Sequence, residues 1–260
     1  MSINLVPFKL PINESVVTTF NKESYESFSN KMLLSFDNYW PKEISIHVYY
    51  EDMEKPSDNF SSRIIFYNFN ENVKDWYNFR EKFFLKEQNK PDNSVNSFYK
   101  YSAIKFAHKV YSIKEQLKNN LSDYLIWLDS DIITTNNFNI EFLKKLTSEK
   151  YYLSYLGRDH IKFHSECGFL IFNTKHKFHN EFWRNMSEMY DNGKLFNEKE
   201  WHDDYIFDVV RLNLEKKDCK NFDISKLGLK QTPDILNVFD NSILGKHMIH
   251  FKGKRKLNIR

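Results

Sequence analysis

Tyr124-Leu125-Ile126-Trp127-Leu128-Asp129-Ser130-Asp131 is an apolar run that stops abruptly in two carboxylates one residue apart. Strands covered on both faces read as continuous hydrophobic runs, and in an open α/β sheet the ligand crevice lies outside the carboxyl ends of the strands. The run therefore predicts a buried strand that delivers Asp129 and Asp131 to a binding edge. Once the strand breaks into a turn, oxygens from both side chains can converge on one divalent cation, which is how Mg²⁺ or Mn²⁺ holds a diphosphate. Asp-x-Asp spacing also occurs in solvated turns whose acids accept backbone N–H bonds. Its place at the end of a buried run favours the metal. The expected class is a metal-dependent enzyme acting on a nucleotide-sugar or another phosphorylated substrate.

Composition bounds the alternatives. A chain of 260 residues can bury about three quarters of its unfolded surface, so it needs no disulfide or metal staple. No linker, repeat or low-complexity tract divides it, and the polar stretches 51–62 and 87–97 read as surface loops, so one domain over 1–260 is expected. Six glycines in the whole chain leave no Gly-rich phosphate loop, Rossmann fingerprint or Walker motif. Met1 to Leu10 lacks the charged start and long apolar core of a signal peptide, and no stretch approaches the roughly 18 apolar residues of a membrane span. A soluble, cytoplasmic protein is expected, with Cys167 and Cys219 as reduced thiols. The net charge of +3 is too small to imply nucleic-acid binding by itself. Residues 252–260, however, carry five positive charges and no negative one, a tail suited to a diphosphate, a polyanion such as DNA, or water. Heavy use of Asn, Lys, Phe, Tyr and Ile matches an AT-rich genome and accounts for the 17% aromatic content without stacking platforms.

Periodicity places the other elements. Val16 to Phe20 reads as a first strand, leading into a helix from Glu23 to Tyr39 that Pro41 stops; strands follow at Ile44–Tyr50 and Arg63–Tyr67. Strand, helix, strand is the opening of a nucleotide-binding α/β fold. Helices are predicted at Asp75–Leu85 and Phe98–Lys118, the second leaving Lys105 and Lys109 one turn apart at the edge of its apolar stripe. Those lysines read either as snorkelling surface residues or as a phosphate-binding pair. Beyond the carboxylates come a helix at Ile140–Leu146, a strand at Tyr151–Leu156 ending in Gly157-Arg158-Asp159, a buried strand entered through Glu166-Cys167-Gly168, and a helix at Lys177–Tyr190. Gly168 there would let a substrate approach the backbone. Trp201-His202-Asp203-Asp204 opens a last helix with Tyr205, Val209 and Leu212 as its core stripe and Asp208 and Arg211 spaced for a surface ion pair. Asp203 and Asp204 would at the least cap that helix.

Taken together, the Asp129-Ser130-Asp131 strand end, the Glu166-Cys167-Gly168 strand, Asp203 at a helix start, and His250-Phe251-Lys252-Gly253-Lys254-Arg255-Lys256 resemble GT-A fold glycosyltransferases, in particular their glycogenin-like and lipopolysaccharide galactosyltransferase-like branch. That branch has a histidine followed by an aromatic, a glycine three positions on and a lysine six positions on, matched here by His250, Phe251, Gly253 and Lys256. The chain departs from the pattern at Leu257 and Asn258, where the family has proline and tryptophan, and at His202-Asp203-Asp204, where it has Asp-Gln-Asp. The resemblance implies an α/β, GT-A type, Rossmann-like fold with a mixed, mainly parallel central sheet flanked by helices. It implies Asp129, Asp131 and His250 as ligands of Mn²⁺ or Mg²⁺, with Lys256 and Gly253 at the diphosphate of a nucleoside-diphosphate sugar. It further implies transfer with retention of the donor's anomeric configuration, Asp203 and Glu166 orienting the sugar. In an inverting enzyme one of those two carboxylates deprotonates the acceptor. The residue types suit the chemistry: a departing nucleoside diphosphate needs its charge neutralised, and a divalent cation plus a lysine do that.

Two rivals share parts of the pattern. A haloacid dehalogenase-like phosphatase also ends a strand in Asp-x-Asp, but on its first strand and with Thr or Val where Ile133 stands here. A non-catalytic protein that binds a sugar nucleotide, a glycan or DNA is the other. A zinc site built on His247, His250 and the cysteines lacks the paired spacing such sites use. The acceptor is either a surface glycan or lipid-linked sugar, or a hydroxylated base in DNA, as expected of a large virus that modifies its own genome.

Overall fold

Among the described residues the apolar runs form nine strands: β1 (Glu14–Asn21), β2 (Ser45–Glu51), β3 (Ile64–Asn68), β4 (Tyr124–Leu128), β5 (Ile132–Thr134), β6 (Leu153–Leu156), β7 (Glu166–Asn173), β8 (Phe222–Asp223) and β9 (Met248–His250). The structure is a computed structural model that describes residues 14–91, 97–158, 163–228 and 237–252. Seven strands make one sheet in the order β3-β2-β1-β4-β7-β6-β8, and β5 pairs with β9 beside it. β1, β2, β3 and β4 run parallel, β6 and β8 are parallel, and β7 is antiparallel to both its neighbours. This is the mixed, mainly parallel sheet expected. Six longer helices accompany it: α1 (Asn30–Tyr39), α2 (Lys74–Gln88), α3 (Ala103–Lys118), α4 (Ile140–Leu146), α5 (His179–Tyr190) and α6 (Asp203–Glu215).

All five residues of β4 are buried, and they divide between the two faces as a period of two requires. Leu125 and Trp127 pack with residues of α2, α3, α5 and α6, whereas Tyr124, Ile126 and Leu128 pack with residues of α1 and α4. With helices on both sides the strand can be continuously apolar, and its first exit to solvent is at Asp129.

Several elements differ from the sequence expectation, each for a local reason. The helix expected from Glu23 begins as a short turn at Lys22–Ser24 capped by the Asn21 side chain, passes through a π-helical segment at Tyr25–Ser29, and becomes α-helical only at Asn30. Single π turns of this kind recur beside functional sites, and Ser24 and Phe28 here line the cleft at the carboxyl ends of β1, β2 and β4. The helix expected over 98–118 is broken at Tyr101 and Ser102, where the Ser102 hydroxyl turns back to the Phe98 carbonyl and Glu87 accepts from the Ile104 N–H at 2.6 Å. On α6 the core stripe is Ile206, Phe207, Val210 and Leu214, while Leu212 is 46% exposed. The predicted stripe was rotated by about one residue because periodicity fixes the width of an apolar face but not its direction. The same rotation corrects the ion pair: Asp208 and Arg211 are buried. Arg211 donates to Asp208 at 3.0 Å, the Tyr155 hydroxyl at 3.0 Å and Glu215 at 2.8 Å, while Asp208 also accepts from the backbone N–H and hydroxyl of Ser165.

Glu14, at the start of β1, is buried, and neither carboxyl oxygen has a hydrogen-bond partner among the described residues. Burial pushes its pKa up to about 7, against a smaller opposing pull from Lys144. Because the folded value lies above the unfolded one, the native state bears the cost of an ionised buried carboxylate above about pH 7. That cost fades as both states become protonated. Glu14→Gln should therefore stabilise the protein by about 2 kcal/mol at pH 8, the full shift being discounted for partial solvent screening, and by almost nothing near pH 4.5. Urea unfolding at the two pH values checks this; an equal gain at both would show that ionisation is not the cause.

Candidate active site

β4 ends at Leu128, and the Asp129 N–H donates to the Gly168 carbonyl at 2.8 Å, so the first carboxylate is held against the entrance of β7. A turn closed by Ile132 N–H to the Asp129 carbonyl at 3.1 Å then sends the chain into β5. β5 pairs antiparallel with β9 in a register that sets Ile132 opposite His250, and the Phe251 N–H donates to the Asp131 carbonyl at 3.0 Å. Two short strands thus bring the imidazole to the acids. His250 Nε2 lies 3.1 Å from Asp131 Oδ1 and 3.9 Å from Asp129 Oδ2, and one ligand atom from each residue falls within 4.8 Å of the others.

The surroundings fit a bound cation. Asp129 Oδ1 is already engaged by the Trp127 indole N–H at 2.6 Å and by Lys109 at 3.1 Å, leaving Oδ2 turned toward His250. Behind the imidazole, Nδ1 is 3.4 Å from Glu166 Oε1, the outer carboxylate that commonly sets the tautomer of a ligating histidine. Two carboxylates and one imidazole suit Mn²⁺ or Mg²⁺, the nitrogen favouring Mn²⁺. Burial alone would lower the His250 pKa, yet its hydrogen bond to Asp131 and the charges of Glu166, Asp131 and Asp129 raise it. Proton and cation would thus compete for this nitrogen. A Cβ added at Gly168 would lie 2.8 Å from His250 Cε1 and 3.2 Å from Glu166 Oε1. The missing side chain at 168 makes room for the imidazole, where the sequence had suggested room for a substrate.

A buried charge network backs this centre. Lys109 reaches Asp203 at 2.6 Å, Asp129 at 3.1 Å and the Cys167 carbonyl at 3.0 Å. Burial opposes its charge, but Asp129 and Asp203 outweigh that and hold its pKa well above the ordinary lysine value. Asp203 moves the other way: burial raises its pKa, and the pull of Lys109 does not fully offset it. Asp204 is held well below the usual carboxylate range because Lys252, Lys109 and Arg158 together overcome its burial. Arg158 sits 3.3 Å from Asp204 and 3.6 Å from Glu166, the Tyr99 hydroxyl donates to Asp204 at 3.2 Å, and Lys252 is 2.5 Å from Glu166. For Glu166 the charges of Lys252 and His250 overcome burial and lower the pKa.

An open cleft of about 270 Å³ lies at the carboxyl ends of β1, β2 and β4, with Asn21, Glu51, Lys105, Lys109, Asp129 and Asp131 in its lining. Its position is the crevice expected of an open α/β sheet. Lys105 is exposed at its rim, whereas Lys109 is drawn down among carboxylates, so the two lysines that look equivalent in sequence have different surroundings. Asp203 and Glu166 are buried, the one turned to Lys109 and the other to His250 and Lys252. Gly253 and Lys256 lie outside the described residues. Sequence reading gave no role to Arg158 or Tyr99. Arginine at a strand end is by default a surface residue, and only the three-dimensional meeting of Asp204 and Glu166 marks this one as buried.

Comparison of the sequence with protein-family profiles and with curated proteins finds no match. Solved structures do match. The bifunctional glycosyltransferase WbbM aligns with a TM-score of 0.56 at 13% identity over 94% of this chain and 46% of its own. The galactosyltransferase LgtC, solved with donor and acceptor sugar analogues, aligns with a TM-score of 0.50 at 15% identity over 92% of this chain and 87% of its own. The glycosyltransferase GlyE of Streptococcus pneumoniae TIGR4 aligns with a TM-score of 0.46 at 16% identity over 83% and 46%. The chain spans about half the length of WbbM and GlyE. It has the GT-A glycosyltransferase fold, as the sequence motifs implied. No helix among the described residues is long and apolar enough to cross a membrane.

Proposed function

We propose that the protein is a metal-dependent glycosyltransferase that moves a sugar from a nucleoside-diphosphate donor to an acceptor hydroxyl. The observation that carries this reading is the convergence of Asp129, Asp131 and His250 at the end of β4 in a GT-A fold, where Asp129 and Asp131 line the cleft and His250 is buried behind them. A bound Mn²⁺ or Mg²⁺ supplies charge neutralisation to the departing diphosphate. Asp129, Asp131 and His250 would hold the ion, with Glu166 orienting the His250 ring. Lys105 at the rim offers a further positive charge to the phosphates, and Lys256, six residues beyond His250, is assigned to the same group. Lys109 fixes Asp129 and Asp203 relative to each other, so that the carboxylates at the start of α6 stand at a set distance from the metal centre. Retention of anomeric configuration is the assigned outcome, with Asp203 and Glu166 as orienting carboxylates rather than bases. The acceptor is a glycan, ahead of a hydroxylated base in DNA.

Incubation with a panel of nucleotide-sugars and Mn²⁺ should release nucleoside diphosphate from one of them, slowly without acceptor. Donor binding without release would identify a non-catalytic sugar-nucleotide protein, and orthophosphate release from sugar phosphates a phosphatase. With an acceptor in hand, the product anomer read by NMR decides the stereochemical branch: inversion would give Asp203 or Glu166 the role of base.

A further inference from the structure

Away from the Asp129 centre, His164, Glu200 and His202 converge. We propose that these three side chains form a second metal site, with Zn²⁺ as the ion they fit. Glu200 Oε2 lies 3.3 Å from His164 Nε2 and 2.8 Å from His202 Nε2. At zinc–ligand distances of about 2.0–2.2 Å, neighbouring ligands of a tetrahedral ion stand about 3.4 Å apart. One pair is already at that spacing, and the other needs to open by only about 0.6 Å. Two imidazoles and a carboxylate also match zinc's preference for nitrogen with a single hard oxygen, with water as fourth ligand.

The chain builds this cluster from two segments. Residues 200–202 lead in extended form into α6, with His202 at φ −76° and ψ 161°, so Glu200 and His202 share one face while Trp201 turns into the core. Trp201 is fixed there by its N–H to the Lys100 carbonyl at 2.6 Å. His164 comes from the approach to β7, and its carbonyl is held by Arg158. The Tyr205 ring stands edge-on to His164 at 4.9 Å, and Tyr99 packs on His202 at 4.6 Å.

Glu200 is oriented from its far side, since Lys100 binds Oε1 at 2.9 Å and leaves Oε2 to the histidines. Nε2 of His202 stands 2.8 Å from that oxygen and is the donor there in the tautomer that carries its proton on Nε2. Coordination needs the lone pair on Nε2, so the proton must move to Nδ1. That atom is buried without a hydrogen-bond partner among the described residues, so the tautomer change breaks no bond there. A filled site would tie the approach to β7 to the start of α6, next to Asp203 and Asp204.

Metal-stripped protein carrying Asp131→Asn, which disables the other centre, should take up about one equivalent of Zn²⁺ in competition with a chromophoric zinc chelator. Loss of an outer-shell partner alone weakens metal binding about 10–100-fold, so His164→Ala and Glu200→Gln should each weaken it at least about tenfold. His164 is partly exposed, which makes its variant less prone to misfold than one at the enclosed His202. In the chain with Asp131 intact, His164→Ala should remove one of the bound zinc equivalents. No uptake in the Asp131→Asn protein, or uptake that neither substitution weakens, would overturn the proposal. The assay reads metal directly and does not depend on glycosyl transfer.

Discussion

Replacing Lys109 with methionine should lower the free energy of unfolding by about 3–5 kcal/mol, the usual cost of stripping one partner from a buried ion pair. Methionine keeps an apolar stem but removes the ammonium that stands 5.4 Å from the Trp127 ring centroid, and it leaves Asp129, Asp203 and the Cys167 carbonyl without their shared donor. Asp203 has no other assigned cation within salt-bridge distance among the described residues, and burial already raises its pKa. Without Lys109 that pKa should climb further. A carboxylate whose folded pKa lies above its unfolded value costs stability at high pH and loses the cost as it protonates. The destabilisation should therefore be large at pH 8 and shrink toward pH 5, and adding Asp203→Asn to Lys109→Met should recover part of it. Urea unfolding of the single and double variants measures this. A loss below about 1 kcal/mol, the range of an exposed ion pair, would mean that Lys109 is the snorkelling surface lysine that its helical position also allowed.

That lysine marks the boundary of what was legible in the sequence. The apolar run of β4 announced both its burial and its functional end, because five consecutive buried residues closed by two acids leave little else to read. α4 was expected at Ile140–Leu146 and occurs there, with the Asn139 side chain capping it. His250 was recognisable only through its neighbours in the tail, since a lone histidine in a short strand has no distinguishing pattern. The arrangement behind Asp129, Asp131 and His250 was out of reach. Glu166, Arg158, Asp204 and Lys252 come from four separate segments, and each taken alone looks like an ordinary charged residue at an element's edge. Nor does periodicity say toward which neighbour a helix turns its apolar face. For that reason Leu212 was placed inside and Asp208 and Arg211 outside, the reverse of what the packing of α6 against the sheet requires.

Asp131→Asn should abolish the Mn²⁺-dependent release of nucleoside diphosphate, by at least about a hundredfold, while changing stability by less than about 1 kcal/mol. The two effects separate because asparagine keeps the shape of the side chain and an oxygen that can accept from His250 Nε2, which is 3.1 Å from Asp131 Oδ1. What it removes is a negative charge, and a divalent ion held by two carboxylates and a neutral imidazole depends on that charge. Losing the Asp131 charge should also let the His250 pKa fall, because Asp131 is one of the groups that raise it. Glu166→Gln tests the layer behind. Glutamine can still accept a hydrogen bond from Nδ1 but no longer polarises the ring, so Mn²⁺ affinity should drop about 10–100-fold, the range for outer-shell partners. The order of severity is the discriminating result. If Asp131→Asn binds Mn²⁺ and turns over the donor as the unaltered protein does, or if Glu166→Gln weakens Mn²⁺ binding more than Asp131→Asn does, the ion does not sit between Asp129, Asp131 and His250.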